Sequence, residues 1–517
     1  MTRTIEPREA SRRLAREDEV AFIDVREAGP FSMGHPLFAV PAPYGRLEAV
    51  AGALMPRATV PVMVIDGGDG TAERAAAVLT AMGYADVSVI AGGAPGWEAA
   101  GLTLFQGVNV PSKALGELAE ALWHPKTIEA ETLAQWKREG RPFHFFDVRP
   151  PSEHAKMRVP GTRCLPNGEL AHRLACAVPE DDAPIVVTCA GRTRGLVGAL
   201  SLERAGAGRA VYALENGTQG WALAGEALER GMTPEPFPAM TAHAAAAAAE
   251  RAEALIAREG IATVRAAEID ALRADETRTT YVFDVRSPEE SAADPVACAV
   301  PAPAGQLVQA SDQWAAVRRA RMVLVDDAGL RGALAAFWLR GLGYEVAVAR
   351  LDDDVRALRP ASRPAAPQPT PPRLSAAGAL RALAGGATLC DLRSSSAYNA
   401  AHVEGAEWAH RAALVGEPQA GPLVLLGGDG ADHAAAELAA AGHTVSVVDG
   451  GHEALAKAGA PVVRDAPLPA GRAVDAIWFA AGRHEGNLDA SRLYLSWEQG
   501  LIAQLSPEER AAFLIGV

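Results

Sequence analysis

One short pattern occurs four times in this chain, and it limits the possible architecture more than any other feature does. In each occurrence an apolar run ends in Asp-Val-Arg or, once, in Asp-Leu-Arg. The four aspartates are Asp24, Asp147, Asp284 and Asp391. Self-similarity of this kind is the signature of repeated structural units. We therefore predict four consecutive domains, a number that also suits a length of 517 residues.

A second apolar run follows each aspartate, and its pattern is typical of a buried strand. The four runs cover residues 62–65, 185–188, 323–325 and 423–426. The residue directly after each run lies 42 positions from the aspartate in the first three copies and 36 positions in the fourth. These residues are Asp66, Cys189, Asp326 and Gly427. Only the second copy therefore carries a thiol at the end of this strand.

Cys189 begins a small, doubly basic loop, Cys-Ala-Gly-Arg-Thr-Arg-Gly, which leads into a helix-like segment at residues 196–205. Where a strand gives way to a helix, the loop N–H groups and the positive end of the helix dipole face the connecting residues. Arg192 and Arg194 add two full positive charges. Such surroundings lower the pKa of a cysteine and favour the reactive thiolate. The sequence thus predicts an activated nucleophile beside a pocket for a small anionic substrate.

Further motifs flank this loop in a fixed order. Upstream lie Phe-Phe-Asp-Val-Arg at 145–149, Glu153, and Val-Pro-Gly-Thr at 159–162. Downstream, a segment from Gly217 to Trp221 follows Asn216, which stands where a glycine is usual. Together with the cysteine loop, these segments resemble the rhodanese family of sulfurtransferases. The resemblance is fullest in the second copy and extends to framework segments of the other three.

The resemblance implies an α/β fold of four tandem rhodanese-like domains, each a small parallel sheet flanked by helices, with a C-terminal helical tail. It implies that the Cys189 thiolate takes a sulfane sulfur from thiosulfate or a similar small anionic donor. The resulting persulfide would pass that sulfur to a thiol or to cyanide. Neither aspartate nor glycine can carry a sulfane sulfur, so the other three copies are expected to be inactive. The candidate substrate-binding residues are Ala190, Gly191, Arg192, Thr193, Arg194, Gly195 and Arg149.

The domain limits follow from the repeats and from changes in composition. We predict an inactive domain at 1–107, the catalytic domain at 108–233, a helical connector at 234–259, an inactive domain at 260–358, a Pro-rich linker at 359–372, an inactive domain at 373–463 and a tail at 464–517. Helices are expected at 115–122, at the Ala-rich stretch 242–258 and at 507–514. The aromatic residues of the tail are expected to pack against this chain, with a partner-binding tail as the alternative.

The amino-acid composition of the chain argues against several classes of function. The net charge of −14 and the pI near 5.4 argue against a nucleic-acid or anionic-membrane surface. Five cysteines without paired spacing indicate a reducing compartment, and residues 1–6 lack the apolar core of a signal peptide, so we expect a cytoplasmic protein. No bound cofactor or metal ion is implied, and the histidines show no metal-ligand spacing. The glycine-rich stretches 67–70 and 427–430 lack the Lys and Ser/Thr of a nucleotide loop, which indicates tight turns.

Other functions stay open at this point. Phosphatases of the same fold also use a cysteine loop, but their pattern places an arginine six residues after the cysteine, where this chain has Gly195. A sulfur-relay or regulatory scaffold would use Cys189 only as a carrier, with the inactive domains binding protein partners such as a protein sulfur acceptor. Mercaptopyruvate is a further donor, although enzymes that use it resemble a neutral loop. The two arginines suit a dianionic sulfonate better.

Overall fold

The structure, a computed structural model, describes residues 3–16, 18–428 and 430–516. Met1 and Thr2, from the N-terminal stretch considered above, and Asp429, from the turn predicted at 427–430, lie outside the described residues. The chain forms two compact units. The first unit comprises Met1–Ser11, Ala21–Val108 and Arg363–Phe479, and the second comprises Arg12–Val20, Asn109–Ser362 and Ala480–Val517. The first and fourth repeats thus share one unit, and the second and third repeats share the other with the end of the tail.

Each repeat contains a parallel sheet with the same strand order. The five strands that all repeats share, numbered along the chain, lie in the order 1-5-4-2-3. In that spatial order the first repeat contains Arg3–Ile5, Val87–Ile90, Val62–Ile65, Val20–Asp24 and Val40–Pro41, and the second contains Thr127–Ile128, Val211–Leu214, Ile185–Thr188, His144–Asp147 and Arg163–Cys164. The third contains Ala262–Thr263, Glu345–Arg350, Arg321–Asp326, Thr280–Asp284 and Val300–Pro301, and the fourth contains Arg373–Leu374, Val445–Val448, Leu423–Leu426, Thr388–Asp391 and Glu407–Trp408. The predicted α/β fold class is confirmed.

Helices flank the sheets in both units. The helices of the first and fourth repeats are Pro7–Leu14, Ala28–Met33, Leu47–Leu54, Thr71–Ala81, Gly93–Ala99, Ala376–Ala384, Ser395–Ala400, Arg411–Gly416, Gly430–Ala440 and Gly451–Lys457. The helices of the second repeat and the connector are Val110–Trp123, Ala130–Arg138, Pro151–Lys156, Glu169–His172, Leu174–Ala177, Thr193–Arg204, Gly217–Leu223 and Ala242–Glu259. The helices of the third repeat and the tail are Ala266–Ala274, Pro288–Ala293, Ala304–Gln309, Leu330–Gly341, Asp353–Ala357, Leu488–Gln499, Leu501–Gln504 and Pro507–Ala511. Within the described ranges, no helix has the length and apolar character needed to cross a membrane.

The sequence located these elements well but misplaced several ends. The connector helix spans Ala242–Glu259, begins where the Thr241 hydroxyl accepts from the Ala244 N–H, and ends at Gly260. The helix expected at 115–122 is the longer Val110–Trp123, and the one expected at 507–514 is the shorter Pro507–Ala511. The most consequential difference concerns the helix expected at 196–205. It is Thr193–Arg204, so the last three residues of the basic loop belong to its first turn.

The strand Ile185–Thr188 is buried along its whole length, since helices cover both faces of this parallel sheet. Three of its neighbours in the core are Phe145, Leu214 and Trp221. Such packing fixes the end of the strand, and the residue that follows it, at the carboxyl edge of the sheet. That edge is where open α/β sheets bind their ligands.

Candidate active site

The site is built around Cys189, the first residue after the strand Ile185–Thr188. We call residues 189–195 the cysteine loop and the helix Thr193–Arg204 the loop helix. The backbone N–H of Gly195, in the first turn of the loop helix, acts on the Cys189 sulfur and favours its charged form. The first N–H groups of a helix have no partner inside it, so they are available to a negative atom placed here.

The first and third repeats show which species this position favours. In the first repeat Asp66 Oδ2 accepts from the N–H of Ala72 at 2.9 Å. In the third repeat Asp326 Oδ2 accepts from the N–H of Gly332 at 3.2 Å. In both repeats the donor lies six residues after the aspartate, and Gly195, whose N–H acts on the sulfur, lies six residues after Cys189. A carboxylate oxygen therefore occupies, in two repeats, the place that the sulfur occupies in the second.

The helix Gly217–Leu223 fixes the cysteine loop through the backbone. The Cys189 carbonyl accepts from the N–H of Thr218 at 2.8 Å, and the Ala190 carbonyl accepts from the N–H of Gln219 at 3.1 Å. Gly217 has a φ of 54°, and a Cβ there would lie 2.3 Å from the Cys189 carbonyl oxygen, so only glycine fits. Asn216, with a φ of 58°, holds a left-handed conformation that asparagine tolerates.

Arg194 forms a two-pronged ion pair with Glu153. Its Nη1 and Nη2 atoms lie 2.6 and 2.8 Å from the two carboxylate oxygens. Burial disfavours the charge of Glu153, but Arg194 outweighs it and holds the pKa of the carboxyl to about 2. Arg194 also acts electrostatically on Cys189. The structure thus brings this predicted residue to the thiol and supplies a carboxylate that orients it.

Arg192 has a different environment. Its Nε donates to Glu117 at 2.9 Å, its Nη2 also bonds to Glu120, and its Nη1 lies 3.5 Å from the Asn216 amide oxygen. Both glutamates belong to Val110–Trp123, which we call the leading helix. These contacts connect the cysteine loop to the leading helix.

Arg149 repeats a contact found in every copy. Its Nε and Nη2 donate to Asp147, and its backbone N–H donates to the same carboxylate. The pairs Asp24 with Arg26, Asp284 with Arg286 and Asp391 with Arg393 have the same arrangement. Because three of these copies lack a cysteine, the shared geometry favours a structural role for Arg149. Its charge nonetheless acts on Cys189.

A helix from the tail covers the cysteine loop, a position that no sequence motif indicated. We call Leu488–Gln499 the tail helix. Its Glu498 accepts a hydrogen bond from Thr193 Oγ1 at 2.6 Å. A Cβ on Gly191 would lie 2.9 Å from Glu498 Oε2 and 3.0 Å from the ring of Tyr494. The aromatic character of the tail predicted packing against this chain, but no motif marked Glu498.

The cover changes the electrostatics of Cys189, whose exposed fraction is only 2%. Burial raises the pKa of the thiol, Glu498 raises it further, and Arg194, the Gly195 N–H and Arg149 lower it, with a net increase. The expectation of a lowered pKa is therefore wrong for this closed arrangement. The loop sequence described the positive groups correctly, but it contained nothing about the helix that excludes water from the thiol.

One group of side chains has metal-ligating types. Ligand atoms of His172, Glu290 and Asp327 lie within 4.8 Å of one another. Arg331 pairs with both of these carboxylates and with Asp326. A guanidinium thus already supplies the positive charge in this cluster, which we interpret as an ion network rather than a metal site.

Comparison with known proteins identifies the family of the chain. The model of the family described as Rhodanese-like domain matches residues 6–100 and 129–224. The crystal structure of a thiosulfate sulfurtransferase from Pseudomonas aeruginosa is 37% identical, with 99% of each chain covered and a TM-score of 0.91. The chain belongs to the rhodanese family. At the level of the family, it is a sulfurtransferase of the rhodanese type.

Shorter rhodanese structures match parts of the chain. A rhodanese-related protein from Thermoplasma volcanium is 24% identical, with a TM-score of 0.18. The match covers 20% of this chain and 97% of the Thermoplasma volcanium chain. A 3-mercaptopyruvate sulfotransferase from Escherichia coli is 19% identical, covering 42% and 99%, also with a TM-score of 0.18. A search of curated proteins gave no match. The conclusion rests on the full-length relative.

Proposed function

We propose that this rhodanese transfers a sulfane sulfur from thiosulfate, or a similar small anionic donor, through a persulfide on Cys189 to a thiol or cyanide. One observation carries the proposal. The sulfur of Cys189 sits where helix N–H groups hold a carboxylate in two sister repeats. A position that binds a carboxylate suits the thiolate and the negatively charged outer sulfur of a persulfide equally well.

The first half-reaction uses the groups around the sulfur. The Cys189 thiolate attacks the outer sulfur of thiosulfate, the S–S bond of the donor breaks, and sulfite leaves with the electron pair. We assign the backbone N–H groups of Ala190, Gly191, Thr193 and Gly195 to the charge that moves between the sulfur atoms. Arg194, already oriented by Glu153, stabilises the thiolate and the leaving sulfite. For Arg192 we propose a supporting role, because the leading helix holds its guanidinium.

In the second half-reaction an acceptor attacks the outer sulfur of the persulfide and returns Cys189 to its thiolate. The other repeats take no part in this chemistry under our proposal. Asp66 and Asp326 fill the anion position with their own side chains, and Gly427 has no side chain to offer. The phosphatase alternative has less support, since Gly195 contributes only its N–H at the position of the phosphatase arginine.

The test is sulfite release from thiosulfate with cyanide as acceptor, together with mass spectrometry of the protein after thiosulfate alone. We expect turnover and a gain of about 32 Da, one sulfur atom, on Cys189. Both should vanish in Cys189→Ser and persist in Cys176→Ser, a matched change at another free cysteine of the same repeat. Turnover without the adduct, or an adduct that survives in Cys189→Ser, would refute the assignment. Full activity without any protein partner would argue against the scaffold alternative.

A further inference from the structure

The carboxylate of Glu498 is a buried charged group beside the cysteine loop. Its residue is only 1% exposed. Oε1 accepts from the Thr193 hydroxyl at 2.6 Å, whereas Oε2 has no hydrogen-bond partner among the described residues. Leaving a buried carboxylate oxygen unpaired destabilises a fold, so such an atom calls for a functional account.

The unpaired oxygen faces the reactive loop. A Cβ on Gly191 would come within 2.9 Å of Oε2, which places this atom against the loop backbone two residues from Cys189. The charge of Glu498 also acts on the Cys189 thiol. A free carboxylate oxygen here has nothing to contribute to an anionic donor, which it repels. It can accept a proton from a reactant that carries one.

We propose that Glu498 is the general base of the second half-reaction and that the acceptor is a thiol entering in its protonated form, an inference that rests on the proposed function. As the acceptor sulfur bonds to the outer sulfur of the persulfide, its S–H proton moves to Glu498 Oε2. The bond between Cys189 Sγ and the outer sulfur breaks, and the electron pair stays on Cys189. The products are the Cys189 thiolate, the acceptor persulfide and a neutral Glu498, so no oxidant or reductant is needed.

Several titratable and charged groups surround this carboxylate. Lys113 and Glu117 face it from the leading helix, Arg192 and Cys189 from the cysteine loop, and Tyr494 from its own helix. Burial lowers the pKa of Lys113 to about 8, so this ammonium loses its charge within the range of the assay. The experiment therefore compares two acceptors at each pH, because a change in these neighbours affects both.

The experiment is a single-turnover discharge of the persulfide. The protein is loaded with thiosulfate, the adduct on Cys189 is verified, and the loaded protein is mixed with 2-mercaptoethanol or with sulfite. Sulfite has no proton to lose at alkaline pH, so it needs no base. In Glu498→Gln we expect discharge to the thiol to slow by about 100-fold or more, the usual contribution of a general base. Discharge to sulfite should stay within about threefold of the wild type by the same reasoning.

The pH profile separates a base from a structural role. In Glu498→Gln the remaining thiol reaction should follow the thiolate fraction of the acceptor, which increases about tenfold per pH unit below the thiol pKa. The wild type should show a much weaker dependence. Asp489→Asn, an exposed carboxylate on the same helix, is the matched control and should leave both discharges unchanged.

Each outcome decides the matter. Equal slowing with both acceptors would assign Glu498 to the structure of the loop, and unchanged rates would remove it from the reaction; either result overturns the proposal. If Glu498→Gln does not fold, the wild type still gives an answer, because discharge to the thiol must slow in D₂O while discharge to sulfite does not. Failure to form the persulfide at all would refute the proposed function itself, a result distinct from the others.

Discussion

Gly191→Ala should expose the catalytic thiol. The added Cβ would lie 2.9 Å from Glu498 Oε2 and 3.0 Å from the Tyr494 ring, where ordinary contacts begin at 3.4 Å. Either the carboxylate turns away and loses its bond to Thr193, or the tail helix retreats from the loop. Both responses break the 2.6 Å hydrogen bond between Thr193 and Glu498.

The magnitude follows from that bond. A hydrogen bond to a charged group contributes about 1.5–3 kcal/mol, which corresponds to a factor of about 10 to 150 in the population of the open state. Cys189 is 2% exposed, so an alkylating reagent must wait for that state. We expect the alkylation rate of Cys189 to increase by this factor.

The assay follows each cysteine by mass spectrometry during reaction with iodoacetamide. Cys176, a partly exposed thiol in the same repeat, is the internal reference and should react at an unchanged rate. Thr193→Val removes the same hydrogen bond without adding an atom against the tail, and it should produce an increase of similar size. An alkylation rate of Cys189 within about twofold of the wild type in Gly191→Ala would contradict the claim that the bond holds the cover closed.

Three further predictions concern stability. Burial opposes the charge of Glu153, but Arg194 holds the pKa of this carboxyl to about 2, below the usual 4.5. The ion pair therefore stabilises the fold above pH 4.5, and this contribution is lost as the pH falls toward 2. Urea unfolding across that range should show a shallower loss of stability for Glu153→Gln than for the wild type. Arg331→Met should cost about 3–5 kcal/mol in the same measurement, because it leaves the buried carboxylate of Asp326 without its cation. Thermal unfolding should show Asn216→Ala to be less stable by about 1 kcal/mol, since alanine resists a φ of 58°, while Asn216→Gly should be neutral or stabilising.

The repeats and the nucleophile were accessible to sequence reasoning because they depend on short-range patterns. An apolar strand, a turn and a helix follow one another directly around Cys189, and the same order recurs in the other copies. The count from each aspartate to the end of the later strand even identified Asp66 and Asp326 as counterparts of the cysteine. The structure places their carboxylates on equivalent N–H groups.

The surroundings of the cysteine were not accessible, because they come from distant parts of the chain. Thr193 and Glu498 are 305 residues apart, and no periodicity connects them. The loop arginines were recognised as cations, but their carboxylate partners, Glu153 and Glu117, lie 41 and 75 residues away. The sequence could therefore predict which groups are charged, but not which pairs form or how much water is excluded.

The position of the tail helix in the sequence determines how long the catalytic thiol is uncovered during synthesis of the protein. The cysteine loop leaves the ribosome 305 residues before the carboxylate that covers it. At about 5–20 residues per second this interval lasts about 15–60 s. Throughout it the catalytic repeat presents its thiol to small molecules, including oxidants, with the positive groups of the loop in place and no cover above them. The thiol of the nascent chain is thus most exposed to oxidation before the tail helix has been synthesised, and the rate of translation sets the length of that interval.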